Sequence, residues 1–117
     1  MVSLTSCSLF QQVDLSGLEQ NFPRIVHHSD IPHYEQSDFE CGPAALAMAL
    51  AWKGQAVRFA DLISATYTPE RKGAFQLDLI SATRRYGYLA YELEPLLTDL
   101  LIETAAGQAP IVLLNYG

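Results

Sequence analysis

Cys41 is followed by Gly42, Pro43 and a run of small apolar residues, in the stretch HYEQSDFECGPAALAMAL at positions 33–50. Proline suits the first turn of a helix, where its missing N–H costs nothing, so the cysteine falls at a helix start. The free N–H groups and the positive dipole end there favour negative charge, and the thiolate is the nucleophilic form of cysteine. Gly42 would leave room for a substrate carbonyl to approach. Gln36, five residues upstream, could be brought round by a short turn to donate its amide to the oxyanion that forms on attack. Cys41 and Gln36 are therefore candidate catalytic residues for nucleophilic attack on an acyl carbon. Glu40 could help cap the helix, although its charge beside the sulfur opposes the thiolate. The same residues also read as packing, with Cys41 a small buried hydrophobe and Gln36 an ordinary loop residue. Spacing does not separate the two.

A cysteine nucleophile needs a base to take the thiol proton and return it to the leaving amine. The chain has three histidines, His27, His28 and His33. All three read as exposed loop residues. A zinc site from these histidines and Cys41 would match no regular finger or hydrolase spacing, so no metal or other cofactor is assigned.

The elements that must position the cysteine follow from the pattern after residue 40. CGPAALAMALAWKG reads as a helix apolar on all sides over 44–52, hence buried, and closed by Gly54 with positive φ. Trp52 and Met48, four apart, read as core. FADLISATY reads as a second helix with Leu62 and Ile63 inward, and TPERKG as a charged turn. AFQLDLISATRRYG reads as a third helix, with Phe75, Leu79 and Ala82 near one side and Gly87 as its stop. YLAYELE alternates as a strand, EPLLTDLLIETAAG returns to helix, and PIVLLNY reads as a central strand. The string LISAT occurs twice, at 62–66 and 79–83, without the longer period of a solenoid. Tyr86, Tyr88 and Tyr91 suit either a cleft lining or a helix-to-strand packing surface. A lone apolar strand needs sheet neighbours, and YLAYELE supplies one; further partners are expected from sequence beyond Gly117.

The 117 residues suit one domain, and with half of them apolar the chain should fold. The net charge of −6, from 7 basic and 13 acidic residues, comes with no basic cluster to track a phosphate backbone, so nucleic acid is an unsuitable partner. Two cysteines, Cys7 and Cys41, are too few for a disulfide framework.

The segment Q36-S-D-F-E-C41-G-P-A-A-L-A resembles the active-site opening of the C39 cysteine peptidases, the papain-like group that includes double-glycine leader peptidases. The likeness continues through AWKGQAV, TPERKGAFQLDLISATRRYG, YELEP and AGQAPIVLLNYG, over residues 31–117. It looks closest to the free-standing, lipoprotein-like members. The resemblance implies an α+β, papain-like fold, incomplete here, with the helical half and the first sheet strands present. It implies a peptide or protein substrate, Cys41 as nucleophile and Gln36 as oxyanion-hole residue. It further implies a histidine base on a strand after the one ending near Leu114 and an orienting aspartate beyond, neither matched in this chain. Transporter-fused members usually have Asp before the cysteine, where this chain has Glu40, and a Gln-to-Cys spacing about one residue longer; both departures point away from leader-peptide specificity. On this reading the isolated chain is inactive. The competing reading is a papain-like protein-binding module without activity.

Residues 1–30 read as a lead-in to the domain at 31–117. Within it LTSC, at 4–7, is similar to the cleavage box of bacterial lipoproteins, although the basic start and longer apolar stretch of such a signal are absent. A lipidated Cys7 would place the protein at a bacterial cell envelope, anchored to a membrane; a coincidental LTSC leaves it cytoplasmic.

Overall fold

In the computed structural model, residues 17–114 are described. They form a small mixed α+β unit in the order α1 (Leu18–Asn21), α2 (Cys41–Trp52), α3 (Phe59–Thr66), β1 (Tyr67–Thr68), a 3-10 turn (Pro69–Arg71), β2 (Gly73–Ala74), α4 (Gln76–Arg85) and α5 (Leu97–Ala105).

The body is a packed trio of helices. Leu46, Ala47 and Leu50 of α2, Leu62 of α3 and Ala82 of α4 form one buried cluster, edged by Tyr34, Val57, Phe59, Leu79, Tyr86 and Tyr88. Alanine at positions 44, 47 and 82, all at most 1% exposed, lets the helices approach closely enough for the leucines to interlock. The doubled LISAT string has a common local use. Thr66 Oγ1 donates to the Leu62 carbonyl and Thr83 Oγ1 to the Leu79 carbonyl, at 2.7 Å in both cases. Each hydroxyl is thereby satisfied inside its own helix, which lets Thr66 lie fully buried.

Three helices end in the same way. Gly54, Gly87 and Gly107 have φ of 85°, 82° and 81°. The next residues reach back: Gln55 N–H donates to Leu50 O, Tyr88 N–H to Thr83 O and Gln108 N–H to Glu103 O. These are Schellman closures, and glycine takes the left-handed position without Cβ strain.

Three expectations need correction. TPERKG is not simply a turn: β1 and β2 pair antiparallel, with Tyr67 opposite Ala74 and Thr68 opposite Gly73, and the 3-10 turn with left-handed Lys72 (φ 53°) forms the tip. Phe75 does not join Leu79 and Ala82 on the inner side of the third helix; it precedes α4 and is 45% exposed, under the Arg71 guanidinium at 4.5 Å. YLAYELE and PIVLL form no strand among the described residues. Alternation prepares a segment for pairing but cannot supply the partner. Residues 88–94 are instead held by side chains. Tyr88 Oη donates to Lys53 O at 3.3 Å, Arg84 to Ala90 O at 3.2 Å, and Tyr91 Oη to Glu103 Oε1 at 3.0 Å. That last hydrogen bond, with the carboxylate's charge, holds the Tyr91 phenol above its ordinary range.

Candidate thiol site at the start of α2

Cys41 is the first residue of α2, and its free thiol is exposed, which removes the packed-core alternative. The residues behind it anchor the helix: Pro43 and Ala44 are buried, and Ala44 N–H donates to Glu40 O at 3.0 Å. The N–H groups of Cys41 and Gly42 have no acceptor among the described residues. An exposed sulfur thus sits beside two unpaired amide donors at the positive end of a helix.

Glu40 occupies the N-cap position but does not cap α2 with its side chain. Its carboxylate turns back and accepts from Ser37 N–H at 2.9 Å, while Glu40 N–H donates to Ser37 O at 3.3 Å. This reciprocal pair closes a short loop in which Phe39 takes a left-handed φ of 68°. The loop ties the backbone next to Gln36 to the backbone next to Cys41. It also commits the Glu40 carboxylate to the Ser37 N–H and away from the free amides at the start of α2. Gln36 itself is exposed and makes no hydrogen bond among the described residues.

Gly42 has a different role from the one expected. A Cβ built there would lie 3.0 Å from Ala74 Cβ and 3.6 and 3.7 Å from the Leu79 methyls. The glycine admits β2 against the helix start. Sequence reasoning could not see this, because the hairpin that approaches lies thirty-odd residues downstream. The same approach carries the hairpin tip alongside the site, with Lys72 Nζ 5.7 Å from the centroid of the Phe39 ring. Gly42→Val is expected to destabilise the chain by about 1–3 kcal/mol through overpacking. The double change Gly42→Val with Ala74→Gly should recover much of that loss, as coupled neighbours do. Urea unfolding of the four proteins measures both quantities; independent, additive effects would refute the contact.

No histidine hydrogen-bonds the thiol among the described residues. His28 is not a free loop residue: it packs on Trp52 at 4.9 Å between ring centroids, and its Nε2 donates to Gln108 O at 2.9 Å. Trp52 is the last residue of α2, so at about 1.5 Å per residue it lies roughly 16 Å along the helix from Cys41. His27 and His33 are exposed. Among the described residues no group of three or more His, Cys, Asp or Glu is placed to hold a metal ion, and no helix is long and apolar enough to cross a membrane. Cys7, with the LTSC string, and Asn115–Gly117 lie outside the described residues. Of the three tyrosines, Tyr86 and Tyr88 pack on the core edge, whereas Tyr88 and Tyr91 line an apolar cavity distinct from the thiol.

No protein-family model matches the chain, and neither a curated protein nor a solved structure matches it.

Proposed function

We propose that the chain carries the nucleophile half of a papain-like, C39-type cysteine peptidase, with Cys41 as nucleophile and Gln36 as oxyanion donor. The observation that carries this reading is the exposed thiol on the first residue of a helix that buries Pro43, Ala44, Leu46, Ala47 and Leu50 and leaves its other residues partly exposed, beside the unpaired N–H groups of Cys41 and Gly42. The sulfur attacks the scissile carbonyl carbon, and the developing oxyanion is held by the Cys41 N–H and the Gln36 amide. Collapse breaks the C–N bond, a proton passes from the base to the departing amine, and water then releases the acyl group from sulfur. The base and its orienting acid belong, on this reading, to residues outside 31–114.

The engagement of His28 at the far end of α2 favours a second reading, a papain-like binding module in which the thiol is not used. Lipid anchoring through Cys7 would suit either reading. The two are separated by alkylating the protein expressed from its whole reading frame with iodoacetamide and mapping the modified cysteine by mass spectrometry. Peptide hydrolysis should fall in proportion to modification of Cys41. Hydrolysis that persists when Cys41 is fully alkylated, or an absence of hydrolysis before alkylation, would reject the peptidase reading.

A further inference from the structure

A cavity of about 830 Å³ opens between α2, α4, α5 and the two unpaired segments 88–95 and 108–114. Its floor is apolar, built from Leu46, Leu50, Leu79, Ile80, Leu97 and Leu100. Its walls combine two features that proteins seldom leave together. Apolar side chains stand open to water, with Leu89 83% and Leu113 94% exposed. The backbone N–H groups of residues 89–94, of Ala109 and of residues 111–114 also have no acceptor among the described residues. An apolar surface alone would accept a helix or a lipid. Apolar side chains alternating with unpaired amides call for another strand, which satisfies both at once.

The charges at this cavity narrow the choice of strand. Its charged lining is Glu92, Glu94 and Glu103 against Lys53 alone. Lys53 is already committed, donating to Gln108 Oε1 at 3.1 Å and lying 4.6 Å over the Trp52 ring. Glu103 accepts the Tyr91 hydroxyl. Glu92 and Glu94 are exposed, and their carboxylates have no partner among the described residues. We propose that this cavity is a docking groove for a basic, strand-forming segment of a partner polypeptide, which pairs its backbone with 89–94 or 109–114, buries alternate apolar residues on the leucine floor and sets Lys or Arg against Glu92 and Glu94. A second copy of this chain fits poorly, because its own unpaired segments, 88–95 and 108–114, contain no Lys or Arg and its net charge is −6. Neither Cys41 nor Gln36 lines the cavity, so the groove and the thiol are separate places on the chain.

The test is binding of synthetic peptides of alternating Val and Thr to the protein expressed from its whole reading frame, followed by fluorescence anisotropy; failure of the Lys-ended peptide to bind there would mean that the protein's own strands fill the groove and would overturn the proposal. One peptide carries Lys at both ends, a second carries Glu there, and a third keeps the Lys ends but has Pro at alternate positions. The Lys-ended peptide should bind about tenfold tighter than the Glu-ended one at low ionic strength, and the gap should narrow as salt is added. The Pro peptide should not bind, having lost the amide donors. Glu92 and Glu94 are exposed, so Glu92→Lys with Glu94→Lys should leave the fold intact and reverse the preference. Equal binding of the Lys and Glu peptides would overturn the proposal, as would undiminished binding of the Pro peptide. So would self-association of the chain through this groove that the Lys peptide fails to displace.

Discussion

Cys41→Ala is expected to abolish peptide hydrolysis by the protein expressed from its whole reading frame while leaving its unfolding midpoint almost unchanged. The two halves of this result have separate causes. The sulfur is the only atom removed, and it is exposed, so neither a cavity nor an orphaned hydrogen bond results; surface changes of this kind stay within about 0.5 kcal/mol. Covalent catalysis, by contrast, has no substitute for a missing nucleophile, and losses on the order of 10⁴-fold or more in turnover follow its removal. Gln36→Ala should fall between, lowering turnover by about 10²–10³, the scale of one oxyanion donor. It should leave the rate of Cys41 alkylation nearly unchanged, because the amide acts on the oxyanion and not on the sulfur. Hydrolysis retained by Cys41→Ala would exclude the thiol from the chemistry. A fall in alkylation matching the fall in turnover would show Gln36 acting on the loop instead.

Leu62→Ala has the largest expected effect on stability. The side chain is 1% exposed at the centre of the cluster formed by α2, α3 and α4. Leu→Ala changes in such surroundings cost about 2–5 kcal/mol, from lost transfer energy and the cavity left behind. Against the roughly 5–15 kcal/mol that holds a domain together, that is a large fraction. The Thr66 hydroxyl bond is to the Leu62 carbonyl, so the substitution does not touch it and the measured loss is one of packing. Leu77, 71% exposed on α4, is the control and should tolerate alanine within about 0.5 kcal/mol. Urea denaturation followed by circular dichroism reads both. Equal losses at the two positions would mean that the core does not lie where these helices meet.

The helices were legible in the sequence, and for a local reason. Pro43 near one end and Gly54 past the other bound α2, and Gly87 stops α4, because caps are written within a few residues of the turn they close. The strands were not, because pairing is decided by distant partners. YLAYELE has the right alternation yet is pinned by Tyr88, Arg84 and Tyr91 through side-chain hydrogen bonds. Conversely, Tyr67–Thr68 and Gly73–Ala74 pair on two residues each, too short for periodicity to register. At the site, the thiol and its helix start were readable from Cys-Gly-Pro. The inward fold of Glu40 and the purpose of Gly42 were not, since one depends on the left-handed turn at Phe39 and the other on Ala74 across the fold.

The buried cluster draws only on Leu46, Ala47, Leu50, Leu62 and Ala82, while α5 buries no residue at all. The residues that close the core therefore all fall between Tyr34 and Tyr88. During synthesis at about 5–20 residues per second, the trio α2–α3–α4 can assemble once Tyr88 has cleared the ribosome, before residues 97–114 have emerged. What arrives later settles onto a surface already made. The tie between His28 and Gln108 can form only then, and it joins a late part of the described chain to an early one.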